Sequence, residues 1–216
     1  MKGIGTALVT PFQADGSIDF PALQRLIEHQ INGGIDYLVI LGTTSEVPTL
    51  SPDEQQSIIQ FVIKHVADRV PLVLGVGGNN TAAMVNRLHQ LTPVLQQHFA
   101  AILSVTPYYN RASRAGLIGH YNAVADSVDI PIIMYNVPAR TGVNLDADTV
   151  AELARHPNLC AVKEASGSLR QMTDLARACA GGIAIYCGND DQVPAAMALG
   201  ARGVISVAAN LIPGVM

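Results

Sequence analysis

Eight short apolar runs, at about 4–9, 36–41, 71–75, 101–105, 131–135, 159–163, 183–187 and 203–207, alternate with stretches of helical periodicity. That alternation leaves few architectures open. Strands separated by helices pair in parallel through right-handed crossovers. Eight such units predict an α/β fold of the (β/α)8 (TIM) barrel kind rather than an open doubly wound sheet. A length of 216 residues suits one domain of this type, read as residues 1–216. Helix starts are legible too. Ser51-Pro52-Asp53-Glu54 places serine at the cap, proline at the first helical position and glutamate three residues after the cap. Asp19, Thr81, Ser113, Asp146 and Ser168 are further cap candidates. Only residues 208–216 follow the eighth run, which leaves no room for an eighth helix. The expectation is therefore a barrel truncated after its eighth strand and lacking its C-terminal helices.

Composition narrows the class of partner. Hydrophobic residues make up 49% and charged residues 14%, so a compact core is available and disorder is not expected. Net charge is -4 with no basic block, which argues against nucleic acid or an anionic membrane as a partner. No apolar run approaches the roughly 18 residues needed to span a bilayer. The N-terminus reads straight into a strand rather than a leader, and Cys160, Cys179 and Cys187 lack metal-type spacing. They are read as reduced core thiols, and the protein as cytoplasmic.

Chemistry is expected at the C-terminal strand ends, where a barrel gathers its loops. Lys163 closes the run Leu159-Cys160-Ala161-Val162. An ammonium taken out of water without a partner loses its proton more readily and becomes a nucleophile toward carbonyl groups. Glu164 follows it, but neighbours on a strand face opposite ways, so it is a poor ion-pair partner. Taken alone, such a lysine more often snorkels to solvent. Other strand ends alter that balance. They carry GTTSE at 42–46, TPYYN at 106–110, YNVPART at 135–141 and KEASG at 163–167. A pyruvate-type substrate needs an amine nucleophile, donors for its carboxylate and a group that moves protons. Lys163, the Thr43/Thr44 turn and Tyr135 supply these, and Arg140 offers bidentate geometry for a second carboxylate. Singly, each has an ordinary structural explanation: a packed strand-end tyrosine, a turn with local hydrogen bonds, a surface cation. Their joint placement carries the functional reading.

These segments, with TALVTPF (6–12), GVGGNNT (75–81), CGNDD (187–191) and GVISVAAN (203–210), closely resemble the dihydrodipicolinate synthase (4-hydroxy-tetrahydrodipicolinate synthase) family. That family belongs to the pyruvate-dependent class I aldolase superfamily, which also includes N-acetylneuraminate lyase. The resemblance covers effectively the whole chain. It implies condensation of pyruvate with L-aspartate 4-semialdehyde in lysine biosynthesis through diaminopimelate. It implies a Schiff base between Lys163 and pyruvate, with no separate cofactor and no metal. Tyr135 would move protons through a relay with Thr43 and Tyr109. Thr44 would hold the pyruvate carboxylate, the Ile205 backbone would line the pyruvate site, and Arg140 would receive the second carboxylate. Tyr109 would reach a neighbouring subunit's site, in a dimer or dimer of dimers.

The chain departs from the family pattern in places. Ser45 stands where GTTGE has glycine, and a small, tolerated shift of that loop is expected. Gln55 and Ala83 occupy positions where lysine-regulated members carry histidine and glutamate, while Asn79 and Tyr108 match. Weak or absent inhibition by lysine follows, because the acidic partner for the effector's amine is gone. Rival readings are a sister aldolase, such as N-acetylneuraminate lyase or a 2-keto-3-deoxy sugar acid aldolase, and a non-catalytic truncated subunit. Gly75, Gly77 and Gly78 read as turn glycines rather than a phosphate cradle. Asp190 and Asp191 read as helix-start acids rather than metal ligands.

Overall fold

In the computed structural model, parallel strands β1 (Gly3–Ala7), β2 (Tyr37–Ile40), β3 (Leu72–Gly75), β4 (Ala101–Val105), β5 (Ile132–Asn136), β6 (Leu159–Glu164), β7 (Ala184–Cys187) and β8 (Gly203–Ser206) close in sequence order into a barrel. The structure describes residues 1–179 and 181–216. Every strand lies within two residues of its predicted position. Closure is made by β8 on β1, in the register Gly3↔Gly203 through Thr6↔Ser206. Helices α1 (Phe20–Asn32), α2 (Pro52–Val66), α3 (Thr81–His98), α4 (Arg114–Asp126), α5 (Pro138–Thr141), α6 (Ala147–Leu153), α7 (Leu169–Cys179) and α8 (Val193–Ala198) connect the strands. After β8 come two short 3-10 turns, Ala208–Asn210 and Pro213–Val215.

Strand parity divides the core into two. Side chains such as Leu38, Ile40, Ile102 and Val162 point outward under the helices, in one large apolar layer. Tyr37, Val39, Leu103, Ile133, Ala161 and Ile205 point inward and fill the barrel. The alternation places Lys163 and Tyr135 on the inward parity of β6 and β5, where Tyr135↔Lys163 are register partners.

The caps follow the sequence closely. Ser51 and Glu54 form the reciprocal capping box of α2. Asp19, Ser113 and Asp146 accept from the third residue of their helices, and Ser168 accepts from Gln171 N. Thr81 is the exception. Asn80 caps α3 by accepting from Ala83 N, and Thr81 is the first helical residue. Its hydroxyl instead meets Nδ1 of the buried His120 at 2.8 Å. One thiol also differs: Cys179 and Cys187 are buried, but Cys160 is exposed, near the start of β6. All three are free.

Candidate active site

Lys163 is only 3% exposed. Its Nζ lies 4.3 Å from the centroid of the Tyr135 ring. Burial pushes the ammonium down to about 8, with the charge of Asp190 opposing the fall. Gly188, at the end of β7, lets that strand close over the lysine. A Cβ there would sit 3.1 Å from Lys163 Cε and 2.5 Å from Ala165 Cβ. The amine is therefore enclosed by β5 and β7, and among the described residues no carboxylate bonds to it directly.

Tyr135 separates Lys163 from a cavity of about 360 Å³ that Tyr135, Thr43, Gly77, Gln55, Arg87 and Tyr108 help to line. Lys163 lies behind the ring and does not itself line that space. Burial raises the Tyr135 phenol above its ordinary value, while the Thr43 hydroxyl and the Arg140 charge pull it partly back. Thr43 and Thr44 sit on a 3-10 turn, Thr43–Ser45, bracketed by two residues with left-handed backbone, Leu41 (φ 51°) and Glu46 (φ 58°). Ser45 is not one of them. Its hydroxyl donates to Leu8 O at 2.6 Å, and its carbonyl accepts from the Thr10 hydroxyl at 2.9 Å. Serine thus ties the turn to the chain just past β1.

Ile205 is fully buried on the inward parity of β8, paired with Gly5. Two predicted residues stand apart from this cluster within the chain. Tyr109 is 87% exposed, with left-handed backbone (φ 73°), pinned by its N–H to Thr141 O. Arg140 is exposed on α5, beside a shallow cavity that it shares with Tyr108, Tyr109 and Arg111. The chain alone therefore brings together Lys163, Tyr135, Thr43 and Ile205, and leaves the relay contact from Thr43 to Tyr109 unmade.

Sequence reasoning missed three groups. Glu164 does face away from Lys163, but it is buried and fully used. Oε2 accepts from Asn136 and Gln171, and Oε1 accepts from Ser166 N. Asn136↔Glu164 is the register pair immediately after Tyr135↔Lys163, so this network clamps the two strand ends. Asp190 does more than start a helix: its Oδ2 accepts from the N–H groups of Val207 and Ala208. Arg87, half-buried in α3, donates to Gln55 Oε1, while Gln55 Nε2 donates to Leu50 O. Nothing in local periodicity distinguished Arg87 from a surface arginine. Among the described residues, no three His, Cys, Asp or Glu side chains converge as a metal site requires, and no helix is long and apolar enough to cross a membrane.

Comparison with known proteins shows the family. The sequence model of the dihydrodipicolinate synthetase family matches residues 1–216. The 4-hydroxy-tetrahydrodipicolinate synthase of Exiguobacterium sibiricum is 48% identical over 212 residues, covering 98% of this chain and 71% of its own. That of Parabacteroides distasonis is 46% identical over 214 residues, covering 99% and 71%. Among solved structures, the chloride-inhibited dihydrodipicolinate synthase of Acinetobacter baumannii complexed with pyruvate superposes with a TM-score of 0.94 at 40% identity, covering 100% of this chain and 73% of that one. YagE of E. coli K12, a prophage protein of the dihydrodipicolinic acid synthase family in complex with pyruvate, gives 0.91 at 34% identity, covering 100% and 72%.

Proposed function

The chain belongs to the dihydrodipicolinate synthetase family, and from that premise we propose which of its residues carry the reaction. The reaction is a lyase-class condensation of pyruvate with L-aspartate 4-semialdehyde, in lysine biosynthesis through diaminopimelate. The observation that carries the assignment is Lys163, desolvated in the barrel mouth with its proton loosened and Tyr135 beside it.

Lys163, as the neutral amine, attacks C2 of pyruvate and expels water, giving an iminium. The iminium acidifies the methyl group, and loss of a proton from C3 gives the enamine. The enamine carbon attacks the aldehyde carbon of the semialdehyde, and the new alkoxide takes up a proton. The substrate's amine then adds to C2 and displaces Lys163, closing the ring and freeing the enzyme. Tyr135 hands over the protons, with Thr43 next to it and Tyr109 completing the relay. A phenol raised by burial stays protonated near neutrality, so it serves as a donor that is refilled through hydroxyl neighbours. Thr44 and the Thr43–Ser45 turn hold the pyruvate carboxylate, the Ile205 backbone lines the pyruvate site, and Arg140 takes the second carboxylate as a bidentate partner.

The covalent lysine adduct stands in place of a cofactor. The exposure of Tyr109 favours a second copy of the chain as its partner, in a dimer or a dimer of dimers. Residues 1–216 are read as one barrel domain acting in the cytoplasm.

The deciding experiment is incubation with pyruvate and borohydride, followed by intact mass and peptide mapping. A reduced pyruvyl adduct on Lys163 is expected, and a folded sample that takes up none overturns the assignment. Rates with aspartate semialdehyde against sugar-derived aldehydes then test the second substrate, and a preference for the sugars would move the chain to a sister aldolase.

A further inference from the structure

The end of β7 and the turn after β8 are joined by one side chain. The β7–β8 ladder has only two register pairs, Tyr186↔Gly203 and Cys187↔Val204. Ile205 and Ser206 lie beyond the last of them, paired to β1 on their other side. Past the ladder, Asp190 Oδ2 accepts from Val207 N at 3.1 Å and Ala208 N at 2.8 Å, which extends the seam by two further bonds. The other oxygen, Oδ1, is buried with no hydrogen-bond partner among the described residues. The segment carrying Asp190 leaves β7 through Gly188, where a Cβ would come within 3.1 Å of Lys163 Cε.

We propose that Asp190 is a positioning residue for the Lys163 chemistry, anchoring the Ile205 turn through Oδ2 while its charge faces the cation that forms at Lys163. This rests on the assignment of Lys163 as the Schiff-base lysine. A carboxylate with one buried oxygen that accepts no hydrogen bond keeps its field, and that field favours positive charge nearby. The iminium is such a charge. It forms between β6 and β7, the two elements that Gly188 packs together. The charge of Asp190 already acts on Lys163 in this sense, against the desolvation that loosens its proton.

The remaining titratable groups around this point are accounted for. Cys187 and Tyr186 on β7, the latter the register partner of Lys163, and Tyr135 on β5 are held neutral by burial. Asp191 follows Asp190, and their charges together with that of Glu164 hold the Cys187 thiol up. Glu164 lies on the outer face of β6 and is occupied by its three donors.

The test is pyruvate and borohydride trapping across pH for the full chain and for Asp190→Asn, which keeps an oxygen for the two N–H groups and removes the charge. The pH midpoint of adduct formation is expected to fall by about half a unit or more, because the ammonium loses its counter-charge. The yield of adduct at saturating pyruvate is expected to fall several-fold. An unchanged midpoint and yield in Asp190→Asn overturns the proposal. Asp190→Glu keeps the charge but misfits the turn, so it should hold the parent midpoint while raising the pyruvate KM. A glutamate variant with a displaced midpoint overturns the proposal, and it decides alone if the asparagine variant does not fold. The parent protein separates the two readings: no adduct there sinks the Lys163 assignment itself, whereas an adduct there with no shift in Asp190→Asn sinks only the role of Asp190.

Discussion

Lys163 is a costly side chain to bury, and the proposed chemistry turns on it. With its ammonium pushed down to about 8, about one molecule in ten holds a neutral amine at pH 7, against fewer than about one in a thousand at the ordinary lysine value. The rate of adduct formation should therefore climb with pH and level off above about 8, which stopped trapping at a series of pH values would show. Stability should rise with pH as well. The folded value lies below that of the unfolded chain, so the unfolded state binds the extra proton between about 8 and about 10.4. The penalty of burying the charge is then complete below that window and fades across it as pH rises. Lys163→Met removes the penalty, and a gain of roughly 3 kcal/mol is expected at pH 7, shrinking toward pH 10. Denaturant unfolding at both pH values checks this, and a methionine variant less stable than its parent at pH 7 would contradict it.

At the scale of elements, the loops after β6 and β7 set the reach of the lysine. Gly188→Ala brings a methyl group 2.5 Å from Ala165 Cβ and 3.1 Å from Lys163 Cε, so strand end or lysine must yield. Misplacement of a reacting group by about an ångström costs on the order of a hundredfold, and a drop of that order in trapping rate is expected with the barrel still folded. A variant with parental trapping would show that the lysine has slack. Much of this organisation was legible in the residues. Apolar runs and caps give the barrel, and parity alone puts Lys163 beside the end of β5 and turns Glu164 away. What escaped were contacts between segments far apart in sequence. Asn136, Gln171 and Ser166 N meet on Glu164 only once β5, β6 and α7 are packed. Asp190 looked like a helix-start acid because its true partners, Val207 N and Ala208 N, follow a strand on the next turn of the barrel. Asn80 displaced Thr81 as the cap because adjacent capping residues differ only in backbone geometry, and Thr81 was drawn to His120.

Across the whole molecule, the cavity behind Tyr135 connects the catalytic strand ends to the α2–α3 side of the barrel, and its wall there is cationic. Arg87 is half-buried against the neutral Gln55 amide, and Ala83 supplies no carboxylate. An effector ammonium would meet a guanidinium where it needs an acid, so initial rates should stay flat as L-lysine is raised through the sub-millimolar range. A steep inhibition curve there would overturn this. The barrel itself is closed by the pairing of Gly3–Thr6 with Gly203–Ser206, residues some two hundred positions apart. Contacts of such separation form late. A chain still emerging from synthesis therefore holds Lys163 as a hydrated ammonium, inert toward keto acids. The newborn polypeptide is chemically silent, and its nucleophile is armed only by the event that also completes the Ile205 wall beside it.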